Sequence, residues 1–205
     1  MNDFSDHHQD TIKELFNLGM GRAAAALSEL LNEEVGLSVP RIEFAAQEEA
    51  ARRMSSDGNR SVAVRQSVRG GLDGNALLVF PRLQSFSLIN AILGSDSRHL
   101  DTLADTEAEA LSEVGNILIN NCIGIIADMI DSGVQTSLPE VLQGTPLDIL
   151  RECTVQAEGE KTVSILVIEV EFSVAKLQIA GQLVFLTSMD AINRLVSRAN
   201  AQAGT

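Results

Sequence analysis

Two spacings of apolar residues take turns along the chain. In DTIKELFNLGMGRAAAALSELL, residues 10–31, Ile12, Leu15, Phe16, Leu27 and Leu30 fall on one side, the pattern of an amphipathic helix. In EALSEVGNILINNCIGIIADMI, residues 109–130, Leu111, Val114, Leu118, Cys122 and Met129 do the same. Elsewhere the period drops to two, and residues 61–69, 72–80, 163–172 and 175–185 read as strands. Leu166, Ile168, Val170 and Phe172 alternate there with Glu169 and Glu171. Gly70, Gly71 and Asp73–Gly74 supply turn residues between the first two strands. Two apolar strands end in Val-Phe, at Val79–Phe80 and Val184–Phe185, and each runs into a shorter amphipathic helix within 77–93 and 182–198.

These features come in pairs. Both long helices carry an acidic residue, a glutamate four positions on and an asparagine three further: Asp10, Glu14 and Asn17, then Glu109, Glu113 and Asn116. Each asparagine precedes a proline by 23 residues, Asn17 before Pro40 and Asn116 before Pro139. The chain therefore reads as one unit duplicated, at roughly 8–100 and 101–205, forming a single domain over 1–205. The polar stretch DSRHLD at 96–101 is expected to link the units on the surface. The expected fold is α/β (α+β). Two helix–strands–helix units share one continuous, mostly antiparallel sheet, with helices packed on one face and a pseudo-twofold axis between the halves.

Composition narrows the function. Hydrophobic residues are 45% and aromatics 3%, with no Trp or Tyr, so Leu, Ile, Val and Ala must build the core. A net charge of −13 with no basic block disfavours nucleic acid and anionic membrane surfaces as partners. Cys122 and Cys153 form no CxxC pair and lack ligand spacing to His7, His8 or His99, so no metal site is expected. The start, MNDFSDHHQD, has no basic or apolar run of a signal peptide. The apolar stretch Ile117–Ile130 is interrupted by Asn120, Asn121 and Asp128, too short and polar to span a bilayer. A cytoplasmic protein with reduced thiols is expected.

On a helix, residues at i, i+4 and i+7 share a face within an arc of about 60° and rise about 10 Å along the axis. Asp10, Glu14 and Asn17 are so placed, with Gly21 and Ser28 continuing the arc and Ala24 and Ala25 beside it. Glu109, Glu113, Asn116 and Ala127 form the second such face. Small neighbours make these surfaces that another protein's backbone can approach, rather than pockets for a metabolite. No Ser–His or Cys–His pair for covalent catalysis is evident. A carboxamide can instead hold a water in line with a phosphorus atom, and a carboxylate can pair with a partner's lysine. A plain solvated helix face is the alternative for any one copy; two copies in matching places weigh against it. Thr106-xx-Glu109 also fits a capping box, and Asp10 a helix N-cap.

The motif and its surroundings, ELFNLGMGRAAAALSELL and SEVGNILINNCIGIIADM, resemble the CheC/CheX/FliY family of response-regulator phosphatases, most closely its CheC type, over nearly the whole chain. The resemblance implies a chemotaxis phosphatase that hydrolyses the phospho-aspartate of CheY. Glu14 and Glu113 would dock the regulator's lysine and Asn17 and Asn116 would orient the in-line water. It implies no cofactor on this chain, Mg²⁺ on the partner, CheD as a possible second partner, and a monomer, since two motif copies sit in one chain. With no further domain read after residue 200, a full FliY or FliM is not expected on length. One departure from the family pattern is Phe16, where Gly115 is the counterpart; both positions point to the buried arc, and the change favours Glu113–Asn116 as the better site. The other functions open to such a surface are a non-catalytic module binding phospho-CheY or CheD, and a flagellar-switch component.

Overall fold

A computed structural model describes residues 6–54, 60–70, 73–94, 105–130, 133–155, 163–174 and 177–203. The stretch 96–101 and His99 lie outside the described residues. The first part of the chain contributes helix α1 (Asp6–Leu31), strand β1 (Val35–Ala45), helix α2 (Gln47–Met54), strands β2 (Ser61–Arg69) and β3 (Gly74–Pro81) and helix α3 (Arg82–Leu93). The second contributes α4 (Asp105–Ile130), β4 (Gln135–Thr136), β5 (Glu140–Gly144), α5 (Pro146–Val155), β6 (Val163–Val174), β7 (Leu177–Ser188) and α6 (Met189–Ala203). His7 and His8 fall within α1.

The strands form one sheet in the order β1-β6-β7-β3-β2, with β4 and β5 both on the outer side of β2. All of its pairings are antiparallel. At the centre, β3 and β7 bring Leu78 opposite Leu183, the leucines of the two LVF segments. The outer strands cross over: β1 lies on β6, and β4 and β5 lie on β2. Both edges carry the motif-linked prolines. Pro40 sits where the β1 register shifts between Ser38 and Arg41, and Pro139 lies in the break between β4 and β5. Proline has no N–H to give a ladder, so an edge is where a sheet accepts it.

Alternation along the strands divides the interior in two. Val62, Val64, Val68, Ala76, Leu78, Phe80, Ile168, Val170, Leu183 and Phe185 meet the apolar sides of α1, α3, α4 and α6. Ala63, Leu77, Val79, Ile165, Val167, Val184 and Leu186 meet Ala50, Ala51 and Met54 of α2 and Ile149, Leu150 and Cys153 of α5. The expected continuous antiparallel sheet with a helical face is present. The two short helices α2 and α5 also cover its other face, which the sequence reading did not anticipate.

Cys122 belongs to the first core and Cys153 to the second, and both are free thiols. Burial pushes Cys122 up to about 12 and Cys153 up to about 11, which keeps both in the unreactive protonated form near neutrality. By length and composition alone, Asp105–Asp128 of α4 could cross a membrane. In this fold its Leu111, Val114, Leu118, Ile119, Cys122, Ile123 and Ile126 are packed in the core instead.

Candidate functional site

Helices α1 and α4 lie against each other on the sheet. A Cβ at Gly19 of α1 would come within 3.0 Å of the Cys122 Cα and 3.4 Å of the Asn121 carbonyl oxygen, so the absence of a side chain at Gly19 sets how closely they pack. Arg22 and Asp128 add an ion pair between the helices at 3.6 Å. Both groups are well exposed, and such a pair contributes about 0–1 kcal/mol.

The hydrophobic spacing sets the helix rotation. On α1, Ile12, Leu15, Phe16, Met20, Ala23 and Leu27 are buried, which turns Glu14 and Asn17 outward into solvent. Leu30, expected on the buried side, is 48% exposed. On α4, Leu111, Val114, Gly115, Leu118 and Cys122 are buried and Glu113 is exposed, while Asn116 is half-buried. Each helix thus presents a carboxylate and a carboxamide one turn apart.

The outer acids have separate positions. Asp10 lies inside α1, which begins at Asp6, so it is not an N-cap; its side chain is outside the described residues. Glu109 is exposed on α4. Thr106 is already helical, since α4 begins at Asp105, so it does not cap the helix in the box that Glu109 would complete.

The two motif copies differ beneath the surface. Phe16 fills the space under α1, its ring centroid 5.3 Å from that of Phe185 on β7. At the matching place under α4 there is no room: a Cβ on Gly115 would lie 2.5 Å from Val64 Cγ1 and 2.6 Å from its Cβ. The missing side chain lets α4 settle onto β2. There Gln66 Nε2 donates to Asn116 Oδ1 at 3.2 Å and to the Ser137 carbonyl at 2.9 Å. Asn120 Nδ2 also donates to Asn116 Oδ1 at 2.7 Å, and Thr136 Oγ1 donates to Asn120 Oδ1 at 2.8 Å. Among the described residues, Asn17 makes no side-chain hydrogen bond, and Gly21, the counterpart of Asn120, stands in open space. Gln66, Asn120 and Thr136 were missed by sequence reasoning. The legible signal was Gln66, a polar residue in the core-facing row Val62-Val64-Gln66-Val68.

Close packing at Gly115 gives a direct expectation. A Gly115→Ala variant must push Val64 aside or lift α4, and overpacking of this kind costs about 1–3 kcal/mol. The denaturant midpoint should fall accordingly. Gly21→Ala, with nothing within 4 Å of its new methyl, should not lower it, because alanine is the better helix former.

Among the described residues there is no group of three or more His, Cys, Asp or Glu side chains that could hold a metal ion. What the geometry offers is polar, outward-facing and uncharged except for the two glutamates. It suits the completion of a reaction centre carried by another protein.

A family model described as CheC-like matches residues 8–43, which cover the whole first motif. The CheY-P phosphatase CheC of Bacillus subtilis (strain 168) is 25% identical over 142 residues, 68% of this chain and 68% of that protein. The flagellar motor switch phosphatase FliY of the same organism is 23% identical over 142 residues, 69% of this chain but 37% of that longer protein. The solved structure of Thermotoga maritima FliY superposes with a TM-score of 0.79 at 18% identity, covering 98% of this chain and 99% of that one. In its fold the chain resembles the solved FliY structure, and over its first motif it resembles CheC-like proteins. The comparisons support the CheC/CheX/FliY family for this chain.

Proposed function

We propose that the chain is a phosphatase of a phosphorylated CheY-type response regulator, acting in the cytoplasm. The observation that carries this reading is the outward presentation, on α1 and on α4, of a glutamate one turn before an asparagine, with the core-facing residues of both helices fixing that orientation. In the proposed reaction, Glu14 or Glu113 pairs with a lysine of the regulator and sets the docking register. Asn17 or Asn116 then holds a water opposite the scissile bond. The water oxygen bonds to phosphorus, the P–O bond to the aspartate breaks, and its electron pair leaves with the carboxylate. The water's proton passes to a phosphoryl oxygen. The regulator itself holds the Mg²⁺ that neutralises the phosphoryl charge. The names of the Bacillus subtilis relatives support the substrate class.

We read the domain as a duplicated unit, with boundaries near 8–100 and 101–205, and as a monomer. The same kinds of element in the same order, α-β-α-β-β-α, in both parts support the duplication, β4 and β5 standing together for β1. Leu78 opposite Leu183 at the centre of the sheet supports a twofold relation between the units.

The test is phosphate release from phosphorylated CheY in Mg²⁺ with a substoichiometric amount of the chain. Release of many phosphates per molecule is expected. An unchanged lifetime of the phosphoryl group overturns the reading. If that unchanged lifetime comes with tight binding of phospho-CheY, or with binding of CheD, the chain is a binding module.

A further inference from the structure

We infer that Gln66 and Asn120 are positioning residues for Asn116, locking its carboxamide with the oxygen inward, so that the second site offers the water a hydrogen-bond donor from a fixed amide while the first offers a freely rotating one. This rests on the phosphatase reading only for its consequence; the locking itself is a matter of geometry.

The amide orientations follow from one group that cannot be reversed. The Ser137 carbonyl is an acceptor only, so the Gln66 atom 2.9 Å from it is the nitrogen. That nitrogen also lies 3.2 Å from Asn116, whose facing atom must then be the oxygen. Asn120 supplies a second donor to that oxygen at 2.7 Å, and is itself oriented by the Thr136 hydroxyl at 2.8 Å. With both acceptor directions of Oδ1 taken, the Nδ2 end of Asn116 is left for a solvent molecule; it makes no hydrogen bond among the described residues.

Gln66 occupies a costly place for a purely structural residue. It is 1% exposed in a row otherwise made of valines, and its own Oε1 is buried with no hydrogen-bond partner. An apolar residue would suit that position better if packing were its only task. The other half supplies the comparison. Gln66 pairs with Ala76, two residues before Leu78. Val170 pairs with Gly181, two residues before Leu183. Val170 is therefore the counterpart of Gln66, and beneath α1 the row is wholly apolar. Phe16 holds that helix over Phe185, and Gly21 replaces Asn120. The two amides that hold Asn116 thus have no counterpart at the first site, where Val170 and Gly21 stand in their places.

The test uses the full chain with Asn17→Ala, which leaves only the second site. Gln66→Leu and Asn120→Ala should each lower kcat for phosphate release roughly 10- to 100-fold with little change in KM, because they loosen a water-holding group without touching the docking glutamate. In chains already carrying Asn116→Ala with Asn17 intact, the same substitutions should change the rate less than about twofold, since additivity would signal a general structural effect. Undiminished kcat for both variants overturns the inference and leaves the phosphatase reading intact. If the Asn17→Ala chain shows no activity at all, the phosphatase reading fails at this site, and the lock is judged on the side-chain amide of Asn116 alone. In ¹⁵N-labelled protein that amide should be as rigid as the backbone, and become mobile in Gln66→Leu. Equal mobility in both overturns the inference whatever the activity.

Discussion

An Asn17→Ala/Asn116→Ala double variant is expected to leave phosphorylated CheY decaying at close to its unaided rate, a loss of roughly 100-fold or more in acceleration. In the proposed reaction these two asparagines are the groups that hold the attacking water. Neither Glu14 nor Glu113 is altered, so docking should survive, and the loss should appear in kcat with KM nearly unchanged. The fold should survive as well. Asn17 is exposed and makes no side-chain hydrogen bond among the described residues, and a surface change of that kind stays within about 0.5 kcal/mol. At the second site Gln66 keeps its bond to the Ser137 carbonyl. Stopped-flow or phosphate-sensor assays would read the result, with circular dichroism to verify folding. A double variant as fast as the parent protein would remove the asparagines from the reaction, and the single variants would apportion any loss between the helices.

The largest stability effect is expected at Phe16. It is 2% exposed and packs on Phe185 beneath the first motif. Phe16→Ala should cost about 3–5 kcal/mol, the usual range for emptying a buried aromatic position. Set against a total of about 5–15 kcal/mol for a domain, this is a large share. Urea unfolding would measure it through the midpoint. Leu18→Ala is the paired control: Leu18 is 58% exposed on the same helix, and its removal should shift the midpoint little. If the two variants fall together, the loss is not specific to the contact between Phe16 and Phe185.

Much of this architecture could be read from hydrophobic spacing alone, because one-sided burial imposes its period on the sequence. The strand expected at 61–69 coincides with β2, and those at 72–80, 163–172 and 175–185 lie within two or three residues of the ends of β3, β6 and β7. Helices α2 and α5 escaped because they are short and their apolar faces are small. A local sign of α5 was present in Thr145-Pro146-x-Asp148: the Asp148 amide donates to the Thr145 hydroxyl at 3.2 Å, and that hydroxyl donates to the Asp148 carboxylate at 2.6 Å, a cap followed by proline at the first helical position. The crossing of β1 to β6 had no local signature, since partner choice between distant strands depends on the assembled sheet. The motif residues Glu14, Asn17, Glu113 and Asn116 were legible from their recurrence. Their unequal surroundings were only partly so. Phe16 against Gly115 pointed to a difference, but the difference acts through Gln66, whose register opposite α4 depends on the fold.

The crossed strands also govern how the molecule can be made. A ribosome releases β1, residues 35–45, long before β6, residues 163–174, so the first edge of the sheet waits for its neighbour until most of the chain has been synthesised. Until then Val39 and Ile42, both buried in the finished protein, have no strand beside them. Pairings between such remote segments slow folding and prolong the exposure of sticky edges. Pro40, by interrupting the ladder on that same strand, also guards the nascent chain against pairing with a stranger.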